Sequence, residues 1–254
     1  MAILNHQRMK KIILLALALL TLTSITAAKK PEKKDEEPQK SSFSGIITYY
    51  GKVTRIPDKS KTHAKLGDFE ALFKLYMNDE YTRRVENYEG LGLKITITEG
   101  INKDVYFQTV STKNGDMFVE ATTQELKDYQ LIAKYMRTNS LKMREVTGKK
   151  RINGYTCKKV ISDIVTEDNI RIQLVAWYCP DLFIPGYQVP FFPNLKGIPL
   201  LYDTYNGEHV VTYNATDIKK QLLNNGYFSR PNMMEPMTFT EYMRKMEEQG
   251  KQEE

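Results

Sequence analysis

Histidines and cysteines offer the widest range of chemistry in this chain, and they are few. The histidines are His6, His63 and His209, and the cysteines are Cys157 and Cys179. The histidines stand apart from one another, and no Gly-x-Ser-x-Gly elbow accompanies them to suggest a serine nucleophile. The sequence also lacks a P-loop and a Gly-x-Gly-x-x-Gly phosphate cradle. We therefore expect no enzymatic activity and no cofactor.

The two cysteines come into register if the strands that carry them form a hairpin. Residues 155–164 and 170–179 have strand character, and in a hairpin centred on Asp168 position 157 stands opposite position 179. Opposed residues of antiparallel strands place their Cβ atoms roughly 4.5 to 5.5 Å apart, close to disulfide spacing. We expect a disulfide between Cys157 and Cys179, with two buried free thiols as the alternative. Two cysteines without nearby histidines do not make a zinc site, so no metal is expected.

Short runs rich in β-branched and aromatic residues recur along the chain, separated by turn residues. This pattern is typical of an antiparallel meander and not of βαβ units. Asn114-Gly115 and Asn206-Gly207 are the strongest hairpin signals. The predicted strands span 45–54, 71–77, 81–88, 93–98, 105–111, 116–121, 143–149, 155–164, 170–179, 199–203 and 209–215. On the third of these, Arg84, Glu86 and Tyr88 share one face, which we interpret as its solvated side.

Two helices are predicted from capping boxes, in which a threonine precedes a glutamate by three residues. Thr122 and Glu125 begin the first, which continues to about residue 137 with apolar residues at helical spacing. Thr238 and Glu241 begin the second, which closes the domain. The fold class is therefore mainly antiparallel β with α (α+β).

Residues 1–28 are typical of a signal peptide. Basic residues precede an unbroken apolar run, Ile12 to Leu20, and small residues follow it as far as Ala28. The run is roughly half of the ~20 residues that a membrane-spanning helix needs. We expect cleavage after Ala28 and a periplasmic or otherwise exported product without a transmembrane segment. Such a compartment allows disulfides to form.

Loss of the signal peptide lowers the net charge from +6 to +3, because three basic residues leave with it. So small a charge does not suggest a nucleic-acid partner. Residues 29–44 mix both charge signs with two prolines, which predicts a disordered linker. Residues 45–246 then form a single β-rich domain, and 247–254 a charged tail.

An apolar segment at 180–201 contains five prolines. Proline at this frequency prevents a regular helix or a central strand, yet the apolar side chains require burial. The segment therefore either crosses the open side of the sheet and lines an apolar cavity, or fills that space. The candidate lining residues are Trp177, Phe183, Phe191, Phe192, Leu195 and Ile198.

Four stretches carry a resemblance to a known superfamily. They are Gly-Ile-Ile-Thr-Tyr-Tyr at 45–50, Lys-Arg-Ile-Asn-Gly-Tyr-Thr-Cys at 150–157, Ala-Trp-Tyr-Cys-Pro-Asp-Leu at 176–182 and Leu-Lys-Gly-Ile-Pro-Leu at 195–200. The sequence resembles exported Bacteroidetes proteins of the LolA/LolB-like lipoprotein-carrier fold superfamily. The resemblance covers the second half of the chain better than the first. It implies a curved half-barrel sheet, closed by helices and loops around an apolar cavity for acyl chains.

These features together predict a periplasmic binding or carrier protein for a lipid, an acyl chain or another apolar small molecule. Each methylene buried by such a ligand would contribute about 0.8 kcal/mol, so one acyl chain could bind without a charged contact. The alternative is a non-enzymatic structural or interaction module of the cell envelope, with a filled core and an envelope protein as partner.

Overall fold

The computed structural model describes the folded domain and leaves out the N-terminal region. The described residues are 42–57, 70–88, 92–101, 104–113, 115–122, 125, 140–166, 169–205 and 207–251. The predicted signal peptide, most of the predicted linker and the body of the first predicted helix lie outside them.

One open, curved sheet of twelve strands dominates the described part of the chain. The strands are β1 Gly45–Arg55, β2 Glu70–Met77, β3 Tyr81–Tyr88, β4 Leu93–Gly100, β5 Tyr106–Thr112, β6 Gly115–Ala121, β7 Ser140–Ile152, β8 Tyr155–Val165, β9 Arg171–Cys179, β10 Ile198–Tyr205, β11 Val210–Lys220 and β12 Pro236–Met237. Their order is β12-β6-β5-β4-β3-β2-β1-β11-β10-β9-β8-β7. The prediction of a mainly antiparallel β fold is confirmed, and eleven of these strands overlap predicted ones.

Sequential strands pair as antiparallel neighbours within two meanders, and β1 joins the two. One edge of β1 pairs with β2 and the other with β11, both antiparallel. The short strand β12 was not predicted, and it pairs with β6 in parallel. At two residues it is too short to show periodicity in the sequence.

The two faces of the sheet differ in burial, and the register identifies the members of each. We call the buried side the inner face. Across the strands, Tyr49 stands opposite Phe73, Phe73 opposite Glu86, Glu86 opposite Ile95 and Ile95 opposite Val110. All five side chains of this row are almost fully buried.

The second predicted capping box is confirmed, and it begins helix α1 at Phe239–Lys251. The Thr238 N–H donates to Glu241 at 2.8 Å, and the Glu241 N–H donates to the Thr238 hydroxyl at 3.2 Å. The helix buries Phe239, Tyr242 and Met243. It continues to Lys251, beyond the predicted domain end at 246.

The first capping box also forms, since the N–H of Thr122 donates to Glu125 at 2.8 Å and the N–H of Glu125 to the Thr122 hydroxyl at 3.1 Å. Residues 126–139 of that predicted helix are outside the described residues. Closure of the sheet by helices is therefore not shown, because α1 is the one α-helix that lies wholly within the described part of the chain.

The packed domain begins slightly before the predicted boundary. Phe43, which the sequence assigned to the disordered linker, is buried, and its N–H donates to the Phe183 carbonyl at 2.8 Å. The N–H of Leu223 donates to the Ser44 hydroxyl at 3.0 Å. A single aromatic residue in a charged segment therefore joins the core.

The register predicted for the two cysteine strands is confirmed, but the predicted disulfide is wrong. Lys158 stands opposite Tyr178 and Val165 opposite Arg171, as a hairpin centred on residue 168 requires. Cys157 and Cys179 are nevertheless both buried free thiols, and no disulfide is present.

Both cysteines are engaged within their own chain segments. The Cys157 thiol donates to the Tyr155 carbonyl at 3.8 Å. The Cys179 carbonyl accepts from the Leu182 N–H at 3.2 Å. Burial raises the pKa of Cys157 to about 12, so its thiol stays protonated at neutral pH.

Gly51 makes room for an aromatic side chain on the inner face. It stands opposite Tyr213, whose ring occupies the space that a Cβ atom at position 51 would need. Tyr213 stacks on Tyr202 with ring centroids 5.3 Å apart and meets Phe73 edge-on at 5.2 Å. The absence of a side chain at position 51 thus permits the aromatic packing at the centre of the sheet.

We predict that Gly51→Ala destabilises the domain by about 1 to 3 kcal/mol, because the added methyl group displaces the Tyr213 ring from a filled core. Urea unfolding monitored by circular dichroism measures the effect. Adding Tyr213→Leu should recover part of the lost stability, since the smaller leucine side chain leaves room for the methyl group at position 51. Equal stability of Gly51→Ala and wild type would contradict this packing.

Candidate functional site

A polar cluster lies on the inner face of β3, where an apolar core would be expected. Thr82, Arg84, Glu86 and Tyr88 alternate along the strand, and the strand register places them beside Leu75, Phe73 and Ile95. The interpretation of this side as solvated is wrong, since the Arg84 and Glu86 side chains are only 14% and 2% exposed. The ion pair between them explains how both charges tolerate burial.

The Glu86 carboxylate has a partner on each of its oxygens. One oxygen contacts Nε of Arg84, and the other accepts a hydrogen bond of 2.7 Å from the Tyr88 hydroxyl. Because the ion pair uses Nε, it does not occupy the two terminal amino groups of the guanidinium.

Aromatic rings surround the Arg84 guanidinium. Its central carbon lies 4.0 Å from the Phe73 ring centroid and 5.6 Å from that of Tyr213, within cation–π range. Burial by itself would lower the pKa of Arg84, but Glu86, together with Tyr213 and Tyr202, raises the pKa above its ordinary value. The guanidinium therefore remains a fixed positive charge inside the domain.

The Tyr213 hydroxyl is a further buried polar group of this cluster. It is buried and close to the Arg84 guanidinium, but it has no well-aligned hydrogen bond within the described residues. Buried polar atoms in native proteins almost always have a partner, so such a group calls for a water molecule or a ligand.

Glu99 on β4 adds a second carboxyl group to the site. It stands opposite Thr82 on β3 and Tyr106 on β5, on the same face as Arg84. Burial raises the pKa of Glu99 to about 8, although Arg84 acts to lower it. At neutral pH the carboxyl group is therefore mainly protonated and can donate a hydrogen bond.

The proline-rich segment reaches this cluster through Tyr187. Arg84 and Glu99 both act electrostatically on the pKa of Tyr187, which burial raises. Tyr187 in turn acts on Tyr49 and Tyr202 of the sheet. The segment therefore packs against the core beside the Arg84 cluster, as both of the sequence-based alternatives expected.

Most of the predicted lining residues lie in the core. Phe191, Phe192, Leu195 and Ile198 are buried, and Phe183 is half-buried. Phe191 adopts a φ of 66°, a left-handed conformation that is unusual for a bulky residue and that the surrounding packing must hold. Whether these side chains line a cavity or fill it stays a prediction.

Trp177 is placed differently from the other candidates. It stands opposite Leu201 and Lys159. The adjacent opposed pair, Ala176 and Tyr202, has its side chains on the inner face, so the Trp177 side chain lies on the other face of the sheet. The ammonium groups of Lys150 and Lys159 lie 5.9 and 5.7 Å from the centre of its ring. The structure does not bring Trp177 together with the Arg84 cluster.

The sequence did not single out Arg84, Glu86, Glu99 or Tyr187 as a site. A buried opposite-charge pair spaced by two residues on a strand was the available signal.

Within the described part of the chain, no group of His, Cys, Asp and Glu could hold a metal ion, and no helix is long and apolar enough to cross a membrane.

We predict that Glu86→Gln destabilises the domain by about 3 kcal/mol, because it leaves the Arg84 charge buried without its partner. The double variant Arg84→Met/Glu86→Leu removes both charges and should fall within about 1 kcal/mol of wild type or above it. Urea unfolding compares the three proteins. If the double variant were less stable than Glu86→Gln, the ion pair would not be the reason for the loss.

We also predict that Glu99→Gln flattens the pH dependence of stability. Above about pH 4.3 an unfolded-state glutamate releases its proton, whereas folded Glu99 keeps it up to about pH 8. The free energy of unfolding therefore falls as pH rises through this window, and the glutamine variant loses that slope. Urea unfolding at several pH values tests this, with the exposed Glu70→Gln as control. A Glu99→Gln curve parallel to wild type would contradict the prediction.

Comparison with known proteins yields one structural likeness to report. No protein-family model matches the chain, and no curated protein matches it. The chain is similar to the crystal structure of a domain described as an outer membrane lipoprotein-sorting protein from Vibrio parahaemolyticus. The two are 10% identical, with a TM-score of 0.32, over 73% of this chain and 89% of the other. The functional argument consequently rests on the residues of this chain.

Proposed function

We propose that this domain is an exported binding or carrier protein for an amphiphile, a molecule with an acyl chain or similar apolar body and a hydrogen-bond-accepting head. The observation that carries the proposal is the polar cluster of Arg84, Glu86 and Tyr213, with the half-buried Glu99 beside it, on a mainly apolar inner face. The apolar body would lie against the sheet, and the head would meet the cluster.

The chemistry of the cluster favours an acceptor group on the ligand. Arg84 offers terminal N–H donors, protonated Glu99 offers a hydroxyl, and the Tyr213 hydroxyl lacks a well-aligned partner. A carboxylate, phosphate or carbonyl oxygen can accept from several of these at once. Donors fixed in a low-dielectric interior bind such groups more strongly than donors in water.

The apolar neighbours supply the affinity for a chain. Phe73, Leu75, Ile95 and Ile97 stand beside Arg84 and Glu86 on adjoining strands. Burial of acyl methylenes against such side chains contributes about 0.8 kcal/mol each. A few polar groups within a mainly apolar lining are the usual composition of a small-molecule site.

The proposed location is the periplasm or another exported compartment, from the basic and apolar pattern of residues 1–28. Binding without catalysis is part of the same proposal. His209 is buried next to the start of β11, and His63 lies outside the described residues.

A filled envelope module is the second candidate, and the tight burial of the inner face favours it. Ile47, Ile95 and Val110 have no exposed surface. If the covering segments fill the interior, the domain would act through its surface and not through a bound lipid.

We predict that the delipidated protein takes up a fluorescent fatty acid and prefers it to the matching alkane by at least about tenfold, the equivalent of one charge-assisted hydrogen bond. Arg84→Met/Glu86→Leu should keep the apolar affinity and lose the preference for the acid. Fluorescence titration measures both constants, and mass spectrometry of co-purified lipids identifies the natural ligand.

Lys74→Met is the matched control, since Lys74 is exposed on the neighbouring strand β2. It should titrate like wild type. Absence of any uptake by the delipidated protein would overturn the carrier proposal and support the filled module. Uptake with equal affinity for acid and alkane would retain a carrier but exclude the Arg84 cluster as its head-group site.

A further inference from the structure

A second set of polar side chains lies on the inner face, at the end of the sheet where helix α1 packs against β6. Gln108 on β5 stands opposite Ile97, and Ile97 stands opposite Arg84, so the three residues form one row across the strands. Neighbouring strands are spaced by about 4.8 Å, which places Gln108 roughly 10 Å from Arg84 across the sheet. Gln108 has no exposed surface. It is therefore a separate polar position within the same buried face.

The side-chain amide of Gln108 has a partner at one of its two ends. Its Oε1 accepts a hydrogen bond of 2.6 Å from the Tyr106 hydroxyl on the same strand. Its Nε2, which carries two N–H donors, has no well-aligned hydrogen bond among the described residues. The oxygen of the amide is thus used within the fold, and its donors are left for another group.

Tyr242 on α1 brings a hydroxyl group to the same place. The Tyr242 side chain is fully buried. Burial raises the pKa of Tyr242 and Gln108 acts to lower it, while burial, Glu99 and Tyr242 raise the pKa of Tyr106. These effects require the tyrosines and the amide to be close neighbours. The Tyr242 hydroxyl nevertheless has no well-aligned hydrogen bond with any described residue.

Stability does not explain why polar side chains occupy these positions. A buried polar atom without a partner destabilises a fold, whereas apolar groups of the same shape can replace it at almost no cost. Phenylalanine at position 242 and methionine at position 108 would fill a similar volume and leave no polar atom unpaired. Because buried polar atoms in native proteins almost always have a partner, Nε2 of Gln108 and the Tyr242 hydroxyl call for a bound group.

We propose that Gln108 and Tyr242 bind a neutral oxygen group, a hydroxyl or a carbonyl, on the body of the amphiphile whose head meets Arg84. The inference rests on the proposed carrier function and defines its ligand class more closely. The ligand carries two polar groups, an acceptor head and an oxygen roughly 10 Å along its apolar body.

The chemistry of the two side chains favours a neutral group over an ion. An amide and a phenol carry no charge, and burial keeps the Tyr242 phenol protonated by raising its pKa. A hydroxyl group can accept from Nε2 of Gln108 and donate to Tyr242, and a carbonyl can accept from both. A buried anion instead needs an opposite charge beside it, which on this face the Arg84 guanidinium supplies.

The apolar side chain between the two polar positions sets their spacing. Ile97 lies between Arg84 and Gln108 in the row and is almost fully buried. A molecule that lies along this row places methylene groups against Ile97 and an oxygen at Gln108. In an extended palmitic acid molecule, the corresponding carbon lies near the middle of the chain.

Competition binding to the delipidated protein tests the proposal. A fluorescent fatty acid is displaced by palmitic acid, or by hydroxypalmitic acids with the hydroxyl group beside the carboxyl group, in the middle of the chain or at the methyl end. We expect the mid-chain hydroxy acid to bind roughly three- to tenfold more tightly than palmitic acid, the range of one net hydrogen bond. The other hydroxy acids should show no gain, because their hydroxyl groups reach neither Gln108 nor Tyr242.

Two variants assign the preference to these residues. Tyr242→Phe removes only a hydroxyl group, and Tyr106→Phe/Gln108→Met removes the amide without leaving the Tyr106 hydroxyl unpaired. In each, the mid-chain hydroxy acid and palmitic acid should bind with about equal affinity, because the hydrogen bond is lost. Tyr227→Phe is the matched control, since it removes a hydroxyl group from an exposed tyrosine, and it should keep the wild-type preference.

Urea unfolding of the ligand-free proteins gives a readout that does not depend on uptake. Tyr242→Phe should be at least as stable as wild type, because it removes a buried hydroxyl that lacks a partner in the empty protein. A clear loss of stability would show that the hydroxyl is already paired, within the fold or to a buried water molecule, and would overturn the proposal.

The binding results separate failure of this inference from failure of the carrier proposal. Equal affinity of the wild type for palmitic acid and the mid-chain hydroxy acid would overturn the inference and leave the carrier proposal in place. A preference that survives both variants would also overturn it, because the oxygen would then bind elsewhere. Absence of any fatty-acid uptake would overturn the carrier proposal and this inference together.

Discussion

The pairing of β1 on both of its edges is the constraint on which the rest of the sheet depends. It pairs with β2 on one side, and on the other its pairing with β11 joins residues near the start of the domain to residues 155 to 175 positions later. The Tyr49 hydroxyl adds a long-range contact of its own, donating to the Pro199 carbonyl at 2.7 Å. Neither meander could cover its inner face without the other, because β1 supplies the shared centre of the core.

Near that centre, the inner face holds charged side chains at positions where aliphatic side chains could also pack. Replacing a buried ion pair by well-packed apolar residues is often neutral or stabilising, so Arg84 and Glu86 are not explained by stability. Their role is better sought in specificity. Fixed donors, a protonated Glu99 and the poorly partnered Tyr213 hydroxyl form a small polar site in an apolar setting, which is what recognition of a polar head group requires.

The charges inside the domain and those on its surface therefore lie in different physical environments. Inside, Arg84 is held by Glu86 and aromatic rings, with little water to screen it. Near the β7–β8 edge, the ammonium groups of Lys150 and Lys159 approach the half-buried Trp177 ring, where solvent and salt screen their charges.

The sequence by itself determined the strands, the hairpin register and both capping boxes, because these depend on local periodicity and on contacts between residues three apart. It placed Cys157 opposite Cys179, but only the tertiary structure showed two free thiols, since register decides which residues face each other and not the side-chain geometry that a disulfide needs. The direction in which β3 faces was also beyond the sequence. Arg83, Val85 and Asn87 on one side are as polar as Arg84, Glu86 and Tyr88 on the other, so alternation could not identify the buried face. The neighbouring strands determine which side of β3 is buried, because Phe73 and Ile95 stand opposite Glu86 and their side chains belong to the core.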